Sequence, residues 1–123
     1  MKLRINGNSV RIRVNQLEFE AFEEYGSIAD ILELPGGPIS YALEKCEEDT
    51  LNVSRLGDSI RIGIPKEMAE KWRSEAAVGF NHIQKTGDKE IEIIVEKELK
   101  CPTPENCKAD EDAFPRPKEE SFG

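Results

Sequence analysis

Histidine and tryptophan occur once each in these 123 residues, and cysteine three times. No stretch approaches the roughly 18 consecutive apolar residues of a membrane-spanning helix. A single histidine leaves no material for a multi-histidine metal centre. Three cysteines, Cys46, Cys101 and Cys107, are an odd and sparse set, unlike the dense, even framework of a small secreted scaffold, so reduced thiols are expected. The opening MKLRINGNS has no apolar segment of the kind that drives secretion, so a cytoplasmic protein with no membrane partner is expected. PGGP at 35–38 is followed by neither a lysine nor a helical pattern, so it is not a phosphate-cradling loop.

What is present is a charged, modestly apolar chain with 34% charged, 37% hydrophobic and 7% aromatic residues and a net charge of -8. That balance, at this length, predicts one small globular domain with one modest core.

The dominant pattern is a repeat. NGNSVRIRVNQLEFEAF at 6–22 is written again as LGDSIRIGIPKEMAEKW at 56–72, with Gly7, Ser9, Arg11, Ile12 and Glu20 recurring 50 residues later as Gly57, Ser59, Arg61, Ile62 and Glu70. Further on the offset becomes 52, pairing Ile39, Glu44 and Lys45 with Ile91, Glu96 and Lys97.

Each copy has the same local grammar. Leu3 and Ile5, then Val10, Ile12 and Val14, alternate with polar residues around Asn6-Gly7-Asn8, which predicts a tight hairpin with one dry and one basic face. The period then lengthens to about 3.6, with Asn15 as N-cap, Glu18 three residues on, Phe19, Phe22 and Tyr25 on the apolar side, and Gly26 as the stop. SIADILEL and ISYALEKC around PGGP predict a second hairpin.

In the second copy Ile60, Ile62 and Ile64 point inward and Pro65 stands at the first helical position. Met68, Ala69 and Trp72 form the buried helix stripe, and AVGFNHIQ pairs with EIEIIVEKEL across KTGD. A strand-strand-helix-strand-strand unit of this size cannot cover both of its hairpins, so two units are expected to pack about a pseudo-two-fold axis. The predicted architecture is a mainly β (α+β) barrel with two short helices, one domain over 1–100 with repeat units 1–48 and 51–100. An acidic, proline-containing tail occupies 101–123.

GDSIRIGIPKEMAEKW resembles the start of the swapped-hairpin domain of AbrB/MazE-type transition-state regulators and antitoxins. The likeness extends over about 51–95, and over 1–46 as a degenerate copy with Asn15 in place of the proline. Those proteins are homodimers of interlocked units, so the resemblance implies that here one chain supplies both units. The whole chain is also similar to a small, functionally uncharacterised bacterial family in which VEKELKC precedes a DEDAFPRP-like acidic tail.

Charge distribution bears on DNA binding. Residues 1–14 carry Lys2, Arg4, Arg11 and Arg13 with no acid, whereas 15–50 carry a net -9. Alternation places those cations on one hairpin face, where a β-ribbon could approach phosphates. In the second copy Arg61 persists but Gly63 replaces the equivalent of Arg13, so the surface is half as basic.

Catalytic signals are sparse. His82 follows Val78 and Phe80 at period two and reads as a half-buried strand residue. Ser9 and Ser59 read as turn residues, and Glu18, Glu20, Glu23 and Glu24 as a solvated helix face. Cys101 and Cys107 have five residues between them, wider than a zinc knuckle, and are only weak metal candidates. Phe114 and Phe122 are candidate anchors of the tail, which could fold back onto the basic hairpin.

The expected function is therefore a small non-enzymatic binding or interaction protein with an unidentified protein partner and no cofactor, existing as a monomer or weak homodimer. The alternative is a divergent swapped-hairpin DNA-binding regulator or antitoxin-like protein using Arg4, Arg11, Arg13, Arg55 and Arg61.

Overall fold

The computed structural model describes residues 1–99 and 114. The order is β1 (Lys2–Asn6), β2 (Ser9–Val14), α1 (Gln16–Tyr25), β3 (Ser27–Leu32), β4 (Ile39–Cys46), β5 (Asn52–Leu56), β6 (Ser59–Pro65), α2 (Lys66–Trp72), β7 (Gly79–Thr86) and β8 (Lys89–Lys97). Four hairpins and two helices thus follow the duplicated pattern. Gly7 and Gly57 hold the equivalent tight turns at φ 58° and 60°, a region that only glycine occupies without steric cost.

The strands form two four-stranded sheets, β1-β2-β8-β7 (sheet A) and β3-β4-β6-β5 (sheet B). Each sheet takes one hairpin from each half of the chain. The hairpins meet through parallel pairs, β2 with β8 and β4 with β6. Ser9 aligns with Glu92 in one and Ser59 with Ser40 in the other, so the registers obey the 50- and 52-residue offsets of the sequence.

Inward residues of both sheets make the core: Val10, Ile12, Val14, Ile93 and Val95 from sheet A, Leu43, Ile62 and Ile64 from sheet B. Phe19 and Phe22 of α1 and Ala69 and Trp72 of α2 complete it. Trp72 is fully buried, donates Nε1–H to Val78 O at 3.0 Å, and meets Phe19 edge-on at 5.1 Å.

The α1 caps match the sequence reading. Asn15 Oδ1 accepts from Glu18 N–H and Glu18 Oε1 accepts from Asn15 N–H, both at 2.9 Å, and Gly26 ends the helix in the left-handed conformation. Two details differ. Tyr25 is exposed, because each step of three residues rotates about 60° back around a helix, and two steps from Phe19 leave the core stripe. Pro65 still pairs with Cys46 at the end of β6, so α2 begins one residue later than expected.

The expected barrel is not closed. At one seam β5 and β7 face each other without backbone pairing: Val53 N–H donates to Gln84 Oε1 (2.7 Å) and Gln84 Nε2 donates to Val53 O (3.1 Å). A side-chain carboxamide replaces the missing strand partner, satisfying backbone groups that would otherwise need a ladder. At the other seam, between β1 and β3, the Met1 ammonium is ion-paired with Glu18 and Asp30, and Tyr41 Oη donates to Met1 O. Burial, then the charge of Asp30, raises the Tyr41 pKa above its usual value.

Candidate functional site: two unequal sheet faces

The pairings turn each outward face into a grid of three rows. On sheet A, reading from β7 to β1, the rows are Ile83-Glu92-Ser9-Asn6, Asn81-Ile94-Arg11-Arg4 and Gly79-Glu96-Arg13-Lys2. On sheet B, from β3 to β5, the equivalents are Ile31-Ser40-Ser59-Leu56, Ala29-Ala42-Arg61-Ser54 and Ser27-Glu44-Gly63-Asn52.

Sheet A opposes like charges directly, Arg4 with Arg11 and Lys2 with Arg13. Such pairs are destabilising unless neutralised, and a carboxylate sits among them. Glu96 Oε1 lies 2.7 Å from Arg13 Nε and 3.6 Å from Arg11 Nε, while Lys2 pairs with Glu98. Arg4 has no ion-pair partner among the described residues. Lys2, Arg4, Arg11 and Arg13 together line a recess of about 140 Å³.

Sheet B keeps one echo of this arrangement. Arg61 Nη1 is 3.5 Å from both carboxylate oxygens of Glu44, the counterpart of the Arg11–Glu96 pair. Arg61 Nε is buried with no hydrogen-bond partner in the described structure.

A side chain at Gly63 would be crowded by its neighbours. A Cβ there would stand 2.9 Å from Asn52 Oδ1 and 3.1 Å from Cys46 Sγ. Asn52 and Cys46 occupy the positions that Lys2 and Glu98 hold on the other sheet, so an ion pair has been exchanged for neutral packing.

The five arginines singled out in the sequence do not share one surface. Arg4, Arg11 and Arg13 lie on sheet A, Arg61 on the outward face of sheet B, and Arg55 at a hairpin tip, where its Nε donates to Gly57 O at 2.8 Å. His82 is half-buried on β7 opposite Ile93, and Ser9 Oγ lies 3.1 Å from Glu92 Oε1. Cys101, Cys107 and Phe122 lie outside the described residues. Among the described residues no three His, Cys, Asp or Glu side chains converge as a metal site, and no helix is long and apolar enough to cross a membrane.

Phe114 is anchored. Its N–H donates to Glu98 O at 2.6 Å and its ring meets Phe19 edge-on at 5.6 Å. The buried Lys97 ammonium lies 5.3 Å from the Phe19 ring centre and 5.0 Å from that of Phe114, and it donates to Ser74 O at 3.0 Å. Burial lowers the Lys97 pKa, against the pull of Glu23 and Glu75.

Sequence reasoning matched Glu44-Lys45 to Glu96-Lys97 but missed what they do. Both lysines cap an aromatic ring of α1, since Lys45 Nζ is 5.6 Å from the Phe22 ring centre. Both glutamates neutralise an outward arginine. Identity between the two halves was the available signal.

These features define a mainly β protein with two helices and two four-stranded sheets, whose similar units fit a duplicated layout and whose outer faces are chemically dissimilar. The chain matches the family of unknown function DUF7009 over residues 1–118, and it belongs to that family. Comparison with curated proteins and with solved structures finds no match.

Proposed function

We propose that the protein is a non-enzymatic cytoplasmic interaction module whose partner is a protein docked on the outward face of sheet B. One observation carries this reading: Ile31 (63% exposed) and Leu56 (64%) end the row that passes through Ser40 and Ser59. Leu32, Leu34 and Ile39 extend the apolar surface around the adjoining β3–β4 hairpin tip. Exposed aliphatic residues at both ends of one row and around the adjoining hairpin tip, on a face where Arg61 and Glu44 neutralise each other, are the mark of an interaction surface. The test is co-purification of a defined partner with the full-length chain and with the Ile31→Asp, Leu56→Asp double variant. Loss of the partner supports the reading. A partner held equally by both proteins sinks it.

A second reading, a swapped-hairpin DNA-binding regulator or antitoxin-like protein, is favoured by Arg4 standing opposite Arg11 with no counter-ion among the described residues. The exchange of hairpins between the halves is in keeping with that resemblance. It requires duplex binding that weakens steeply with salt and is lost on Arg11→Ala with Arg13→Ala.

A further inference from the structure

We infer that the outward face of sheet B is a self-docking surface, and that its occupant is the same face of a second copy of this chain. The inference rests on the reading of sheet B as an interaction face and names its partner.

Two four-stranded sheets can pack face to face about a two-fold axis parallel to their strands. Such an axis sets β3 of one copy over β5 of the other and β4 over β6. The row Ile31-Ser40-Ser59-Leu56 then meets its own reverse, so Ile31 falls on Leu56 of the second copy at both ends, with serine against serine between them.

In the next row Arg61 falls on Ala42 of the second copy, one row from its Glu44. A long side chain thereby faces a small one. The Arg61 guanidinium, which faces Glu44 of its own chain through Nη1, is also brought towards Glu44 of the second copy. Glu44 in turn falls on Gly63, which has no side chain to obstruct it. Large side chains therefore meet small ones in both rows, and no like charges are opposed. Sheet A set on itself by the same operation would bring Glu96 onto Arg13 but would stack Ile94 against Arg11 and leave Ile83 against Asn6, and sheet A set on sheet B would leave Arg4 and Lys2 against uncharged residues.

The expected contact is small. Four strands about 4.8 Å apart and six residues at about 3.3 Å each span roughly 400 Å² per copy. Two copies bury about 800 Å², short of the roughly 1,200 Å² of a stable complex. A weak, concentration-dependent dimer follows, not an obligate one.

The experiment is sedimentation velocity of the full-length chain over a concentration series from about 10 µM to about 1 mM, bracketing weak association. The variants are Ile31→Lys, Leu56→Glu, the two together, and Ile83→Lys as the equivalent change on sheet A. All three positions are exposed, and Trp72 fluorescence reports retained folding. Each sheet B single variant is expected to weaken the dimer at least tenfold. The double variant should restore it to within a few-fold, because the introduced lysine and glutamate pair only between copies, being three strand spacings or about 14 Å apart within one chain. Ile83→Lys should leave it unchanged.

A chain that stays monomeric throughout overturns the inference. If that monomer still loses a protein partner on Ile31→Asp with Leu56→Asp, the docking face stands and only its occupant was wrong. A dimer weakened by Ile83→Lys but not by Ile31→Lys, or one the double variant fails to restore, also overturns it.

Discussion

Sheet A and sheet B are built from equivalent hairpins in equivalent register, yet at their twelve matched outward positions they carry different chemistry. Sheet A holds Lys2, Arg4, Arg11 and Arg13 against Glu92 and Glu96; sheet B holds only Arg61 and Glu44. The duplication thus contains its own control. Because sheet B forms the same grid with Asn52, Ser54 and Gly63 in place of three of the cations, those cations are not a requirement of the fold. They are also costly, since opposed like charges must be neutralised by Glu96 and Glu98. Conversely, the neutral packing of Cys46, Asn52 and Gly63 cannot accept the chemistry of sheet A.

The largest expected effect comes from forcing that exchange. Gly63→Arg drives a side chain into Asn52 and Cys46 and should cost about 2–4 kcal/mol in urea unfolding, as overpacking of a buried site does. The reverse change, Arg13→Gly, removes a half-exposed ion pair and adds strand entropy, and should cost only about 1 kcal/mol. Equal costs would break the comparison.

The seams differ as well. Gln84→Leu strips Val53 of both backbone partners and should cost about 1–3 kcal/mol, read from the same unfolding curves. Its counterpart Leu32 is exposed and bridges nothing, so Leu32→Gln should stay within about 0.5 kcal/mol.

Lys97 adds a pH-dependent component to stability. Burial holds the Lys97 pKa below 10.5, so between the folded and unfolded values the unfolded chain binds more protons and native stability rises with pH. Lys97→Met abolishes that component. The native chain should therefore gain stability relative to Lys97→Met as pH climbs towards 10.5, followed by thermal unfolding at several alkaline pH values. Lys45→Met, at the equivalent position, serves as the reference.

Local elements and their pairing logic were legible because they rest on short-range signals: the Asn15–Glu18 capping box, turns at Gly7 and Gly57, alternation in SVRIRV and SIRIGI, and the two offsets. The barrel was not, because whether β5 meets β7 through backbone or through Gln84 depends on a contact across 31 residues with no periodic trace. The candidate site was half legible. Period two correctly put Arg4, Arg11 and Arg13 on one face, but it cannot show which strand lies beside them. It therefore does not set the acids of β8 beside the cations they neutralise. Arg61 was grouped with them by repeat identity, although a pseudo-two-fold operation carries equivalent residues to opposite sides of the domain.

The smallest effect on stability sharpens the comparison most. Glu96 touches both Arg11 and Arg13, and all three side chains are partly exposed, so Glu96→Gln should cost no more than about 1 kcal/mol. Its electrostatic consequence is larger, because among the described residues it leaves four cations in one recess with only Glu98 and Glu92 nearby. If sheet A is an anion-facing surface held in check by its own β8, Glu96→Gln should strengthen salt-sensitive binding to a labelled mixed-sequence duplex in fluorescence anisotropy. Glu44→Gln, the matching change on sheet B, should not. Identical responses would mean that the cations of sheet A are simply a solvated strand face, and that the asymmetry between the sheets lies in sheet B alone.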